Sequence, residues 1–342
     1  MPDLDARIHG GLLGLAIGDA IGLPADYHRS IRSPWVRSRL WEASADLDRS
    51  RVSRPLLPFV LSSTDEPRLV PTDDTEAAVL ALRVLLDTTD HGDGALFTGW
   101  SRHALAEDAW GGVAERSAAI NAGRGLLPPH TGNDNPADIS DSAVPAGLAI
   151  GLAFAGEPEL AADHAERWAS ITHARDGVWA AVAAAVATAL LAAGATADDA
   201  LAQAVATIPV GSWLATDLTR LAEIDLGDPF LALPRLLEVA SPRAYSAGGS
   251  APETLPLAFA LFRATLDRPT TAIPFASTIS RHSDSLPAFV GALVGAHHGA
   301  SAFGDTWPGA LDEVHGLFYP TLAGQTLTGL TAELIARATH RA

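Results

Sequence analysis

Apolar residues recur at helical spacing through most of the chain, and alternating strand patterns are scarce. After Thr75, the positions Ala77, Val79, Leu80, Leu82, Val84, Leu85 and Leu86 form a broad apolar face broken by Arg83 and Asp87. That face predicts a helix starting at Thr72 or Asp73. Ile8 to Ala20 predicts another, and its Gly10, Gly11, Gly14 and Gly18 would let a second backbone approach closely at a cost in helix propensity. Further helices are expected over 96–106, 145–154, 160–170, 178–193, 197–206, 215–222, 231–239, 255–266, 286–298 and 327–338, most of them closed by Gly, Pro or Asp. A polar, Arg- and Pro-rich stretch over about 27–70, carrying Trp35 and Trp41, reads as an irregular excursion of the length that is often functional. No Gly/Ser linker divides the chain. The expectation is an all-α fold, a single-domain compact multi-helix bundle over residues 1–342.

Composition narrows the function classes. With 48% hydrophobic and 18% charged residues in 342, the chain can bury a substantial core. A net charge of -17 argues against binding duplex nucleic acid, which rests on clustered cations. All 23 basic residues are Arg, and cysteine is absent, so disulfides, thiolate nucleophiles and Cys-ligated zinc are excluded. Oxygen and imidazole must supply any metal site. Met1 to His9 carries two Asp and one Arg with no signal-peptide character. The longest apolar segment, 178–193, is shorter than the roughly 20 residues that span a bilayer and reads as a buried helix. The expected location is cytoplasmic, without membrane contact.

Two clusters carry candidate chemistry. Pro71-Thr72-Asp73-Asp74-Thr75 sets adjacent carboxylates between hydroxyls at a helix start. Helix capping and dipole compensation account for such a cluster, and so does a divalent-metal anchor. The second is Ser280-Arg281-His282-Ser283-Asp284-Ser285-Leu286-Pro287, with Pro287 in the first turn of an apolar helix through Gly291, Gly295 and Gly299. Two such helix starts could converge on one hard cation or on a pair.

These clusters, with the glycine-rich run from Gly11 to Pro24 around Gly18-Asp19-Ala20 and with Thr172-His173-Ala174, stand in an order that resembles the ADP-ribosylglycohydrolase family. The family includes the dinitrogen-reductase-activating and ADP-ribosyl-acceptor hydrolases. The resemblance spans nearly the whole chain. It implies an all-α domain with Mg²⁺ or Mn²⁺, two ions or one, and cleavage of an N- or O-glycosidic bond to release ADP-ribose from a protein, nucleic acid or small molecule. Carried over by position, the metal set is Thr72, Asp73 and Asp74 with His282, Asp284 and Ser285. His282 stands where the family has Asp, Ser285 where it has Thr, and Asp26 where it has an acidic residue, usually Glu. His282 removes a negative charge and favours metals that accept nitrogen. Its other reading is a solvent-exposed residue, or one behind the ligands, beside Arg281. Asp26 and Asp73 are the proton-carrying candidates, while Asp19 reads as a backbone brace.

Four more positions belong to the substrate side. Gly123, Arg124 and Gly125 resemble the family's glycine-containing phosphate loop, although a helix C-cap turn has the same composition. Relatives have Gly-Asn-Gly and Met-Arg where this chain has Gly132 to Ser142, ahead of a retained Pro145-Ala146-Gly147-Leu148. His173 reads as a substrate contact or as a helix-terminal His capping carbonyls. His297 and His298 read as dipole-complementing residues at a helix end. Two function classes follow: an active hydrolase, or an ADP-ribose-binding or structural derivative, which the His282 replacement favours.

Overall fold

The computed structural model describes residues 2–30, 70–88, 91–240, 249–279, 285–304, 307 and 311–341, and within these the side chains of all but 23–30, 229, 230 and 339–341. Among them no strand forms, and helix follows helix, as the apolar periodicity predicts. None is long and apolar enough to cross a membrane. Most of the expected helices appear with ends shifted by a few residues. The first runs further, from Leu4 to Ser30, so the stretch expected to be irregular from residue 27 begins as helix. Val113–Gly123, His130–Asn133 and Pro269–Ala276 are helices that the periodicity did not announce.

Small residues set the packing at the centre. Gly10, Gly14 and Gly18 of the first helix face Gly295, Gly291 and Pro287 of Leu286–His298. A Cβ on Gly14 would stand 2.1 Å from the Gly291 carbonyl oxygen, and one on Gly18 2.1 Å from that of Pro287. The two backbones therefore touch, as the glycine spacing suggested. Asp176–Ala192 is buried through almost its whole length, and its alanines admit Val144–Ala153 as closely: a Cβ on Gly147 would lie 2.3 Å from Ala181 O. One contiguous apolar core joins these helices.

Candidate active site

The close pairing of the two glycine-bearing helices fixes where the chemistry sits. Gly18 rests on Pro287, in the first turn of Leu286–His298, and its neighbour Asp19 binds the start of Asp73–Asp87. Two helix N-termini are thus brought to one level of the first helix. Asp19 is fully buried and accepts from the Thr72 N–H at 2.7 Å, the Thr75 N–H at 3.0 Å, the Thr75 hydroxyl at 2.5 Å and the Thr72 hydroxyl. Thr72 occupies the N-cap position but makes no side-chain cap bond. A carboxylate from the middle of another helix satisfies the free amides instead, so Asp19 braces backbone, although it sits within a helix and not in a turn.

Asp73 and Asp74 follow in the first turn of that helix. Asp74 and Thr72 are buried and Asp73 half-buried. The Asp73 carboxyl is pushed up to about 7, first by burial, then by the charges on Asp19 and Glu115. Burial also raises the Asp19 carboxyl, against its four donors. In the same turn, buried Glu76 accepts from the amides of Leu317, Phe318 and Tyr319 at 2.6 to 2.8 Å, tying the 317–319 segment to the site.

Glu115, Asp141, Ser142 and Tyr319 were not singled out in the sequence, yet Glu115 and Tyr319 lie near Asp73, and Ser142 and Asp141 lie near Glu115. Glu115 is the third residue of Val113–Gly123 and accepts from the Ser142 hydroxyl at 2.7 Å. Ser142 lies 3.1 Å from His173 Nε2, and His173 Nδ1 lies 2.7 Å from the Thr172 hydroxyl. Buried Asp141 accepts from the Thr254 hydroxyl at 2.6 Å and is pushed up to about 6, by burial foremost and also by Glu253 and Glu115. Burial, then Glu115, Glu76 and Asp73, raise the Tyr319 hydroxyl. The signal for Glu115 was an acidic residue in a helix's first turn, hidden because the apolar face of its helix is short. Ser142 and Asp141 lie where the Met-Arg of relatives was expected.

The expected substrate residues are placed unevenly. His173 is buried and neutral, its pKa lowered by burial, and it caps no carbonyl through its ring: both ring nitrogens meet hydroxyls inside the relay. Through Ser142 the His173 ring connects to Glu115. Gly123, Arg124 and Gly125 form a helix end: the amides of Arg124 and Gly125 bond Ile120, Asn121 and Ala122 carbonyls, and Gly125 has φ +87°. Those amides are committed to the C-cap, at the opposite end of the helix from Glu115, roughly 12–15 Å away by helical rise. Only the exposed Arg124 guanidinium remains for an anion. His297 is likewise corrected. Burial lowers it to about 4, so it brings no positive charge to its helix end.

Ser285 is buried at the N-cap of Leu286–His298. His282, Asp284 and the Asp26 side chain lie outside the described residues. Among the described residues no group of three or more His, Asp or Glu side chains is placed to hold a metal by itself. The donors that are present are hard oxygens under mutual repulsion, which suits a divalent cation completed by a second cluster.

The sequence profile for ADP-ribosylglycohydrolase matches residues 1–342. The chain belongs to the ADP-ribosylglycohydrolase family. Comparison with curated protein sequences gives no match. Among solved structures it is similar to one described as "ADP-ribosylglycohydrolase-related protein complex", with a TM-score of 0.58 and 21% identity, covering 98% of this chain and 99% of that one. That likeness carries the all-α fold. Family membership supports glycosyl hydrolysis at ADP-ribose linkages as the class of chemistry.

Proposed function

We propose that this ADP-ribosylglycohydrolase is a divalent-metal-dependent hydrolase that releases ADP-ribose from a conjugate by cleaving the N- or O-glycosidic bond at the anomeric carbon. The observation that carries the reading is the meeting of two helix starts at Asp19, which leaves Asp73 under the repulsion of Asp19 and Glu115. Thr72, Asp73 and Asp74 would hold Mg²⁺ or Mn²⁺ together with Asp284, Ser285 and His282 from the second helix start. The metal, when bound, would supply Lewis-acid polarisation of oxygens and orientation of ribose hydroxyls. The chain's own part is positional. Asp19 fixes the Thr72–Thr75 turn, Glu76 holds Tyr319 against it, and Asp73, raised to about 7 by burial and its neighbours in the metal-free chain, is the first proton-carrying candidate. Asp26 is the second proton-carrying candidate. His282 in place of an acidic residue favours a second reading, an ADP-ribose-binding derivative with reduced catalysis.

Turnover on arginine-, serine- and base-linked ADP-ribose, with Mg²⁺ and with Mn²⁺, separates the two. Hydrolysis in wild type that falls at least 100-fold in Asp73→Ala and in Asp284→Ala supports the first reading. Full turnover in either variant overturns the site, and ADP-ribose binding without turnover of any conjugate moves the conclusion to the second reading.

A further inference from the structure

Glu115 is built into the site more elaborately than a surface acid in a helix's first turn. Its Oε1 accepts from Ser142, while Oε2 is buried and has no hydrogen-bond partner among the described residues. A glutamate at this position commonly reaches back to the N-cap amide, and here that bond is absent. Two glycines instead clear the way for the carboxylate. A Cβ on Gly112 would stand 2.7 Å from Oε2, and one on Gly111 2.8 Å from the Glu115 Cβ.

The side chain lines two spaces. One is a cavity of about 20 Å³ lined also by Ser142, Thr172, Trp100 and Tyr319, large enough for one water. The other is a pocket of about 230 Å³ lined also by Trp110, Arg116, Ile120 and Tyr319. Among the described residues, Asp73, Asp141, His173 and Tyr319 feel the Glu115 charge.

We propose that Glu115, in place of Asp73 or Asp26, is the proton-accepting carboxylate of this site, its unpartnered Oε2 taking the proton of the attacking water while Ser142, backed by His173 and Thr172, holds Oε1. The assignment rests on the hydrolase reading above. In the step, one O–H bond of water breaks and its proton passes to Glu115. The water oxygen bonds the anomeric carbon, and the bond from that carbon to the acceptor nitrogen or oxygen breaks with its electron pair on the acceptor. Glu115 then returns the proton to the acceptor, and the carboxylate is restored. An ionised Glu115 also orders the relay: Ser142 donates to Oε1, His173 Nε2–H donates to Ser142, and Thr172 donates to His173 Nδ1. One neutral tautomer of His173 satisfies all three bonds. His173 is a positioning residue acting through Ser142.

The test measures kcat and KM against pH on whichever arginine-, serine- or base-linked conjugate wild type hydrolyses, with ADP-ribose binding and thermal unfolding followed in parallel. Glu115→Gln is expected to lower kcat about 100- to 1000-fold and keep KM within threefold. Formate is expected to restore at least tenfold of the activity lost in Glu115→Ala, and Ser142→Ala to lower kcat about tenfold with KM unchanged. A folded Glu115→Gln that keeps kcat within threefold at every pH, or a folded Glu115→Ala that formate does not rescue, overturns the assignment alone. Wild type that binds ADP-ribose and hydrolyses no conjugate overturns the hydrolase reading and this assignment with it.

Discussion

Asp19 receives four donors on two oxygens, and the helix it serves is not its own. Replacing it by Ala leaves the Thr72 and Thr75 amides buried without acceptors, so Asp19→Ala should lower unfolding free energy by about 3 kcal/mol. Urea unfolding checks this, and a loss under about 0.5 kcal/mol would show that the brace is dispensable. The role was partly legible in the sequence, because a short Asp side chain commonly bonds backbone. Its partner was not legible: Thr72 lies 53 positions away, and nothing local says which helix start a buried carboxylate will meet. Glu115 was hidden for a similar reason, since a lone acidic residue near a helix start looks the same whether it caps the helix or faces a site. Thr72 to Thr75 stood out because four side chains of one chemistry are adjacent.

At the scale of elements, what the sequence disclosed follows from how strongly each helix is patterned. Helices with broad apolar faces were readable to within a few residues, and the glycine run announced a close helix pair. Pro269–Ala276 carries two prolines in eight residues and Val113–Gly123 follows two glycines, so their local signals oppose the fold that tertiary packing imposes. The glycine stripe predicts a contrast. Gly14→Ala places a Cβ 2.1 Å from a backbone carbonyl and should cost about 3 kcal/mol, whereas Gly94→Ala, with open space around it in a helix, should gain about 0.5–1 kcal/mol. Equal melting temperatures for the two variants would refute the close packing.

A second element-scale device joins the C-terminal helix, Leu327–Arg341, to Pro158–Ala169. Arg337 donates to His91 Nε2 at 2.6 Å, His91 Nδ1 meets His164 Nε2 at 3.1 Å, and His164 Nδ1 meets the Leu160 carbonyl at 2.8 Å. This chain needs both imidazoles neutral, with Arg167, Asp163 and Asp93 as the charges nearby. Burial first, then Arg337 and His164, lower the pKa of His91. A folded pKa below the unfolded one gives stability that is present above the ordinary His value of 6.5 and is lost as pH falls through the folded value. Amide exchange in 327–341, corrected for its intrinsic pH dependence, should therefore accelerate between pH 7 and 5, and the acceleration should be weaker in His91→Asn. The same pH slope in both proteins would remove His91 from the linkage.

For the whole molecule, the arrangement concentrates like charge where the chain can least afford it. A protein of net charge -17 buries Asp19, Asp74 and Asp141, half-buries Asp73 and Glu115, and sets them around two helix starts. Helix N-termini offset part of that repulsion. A bound divalent cation would offset more, and because it binds only the folded chain it would raise stability by mass action. At 100 times its dissociation constant the gain is about 2.7 kcal/mol. With an unfolding entropy of about 2.1 cal/mol/K per residue over 342 residues, that gain corresponds to a melting shift of about 4 °C. Mg²⁺ or Mn²⁺ should produce such a rise over Na⁺ at equal ionic strength, and Asp73→Ala with Asp74→Ala should abolish it while leaving the protein folded. General screening of the surface would act on wild type and double variant alike, and would follow ionic strength instead of ion identity. Equal shifts in the two proteins would therefore place the cation effect on the surface and remove the Thr72–Thr75 turn from the metal site.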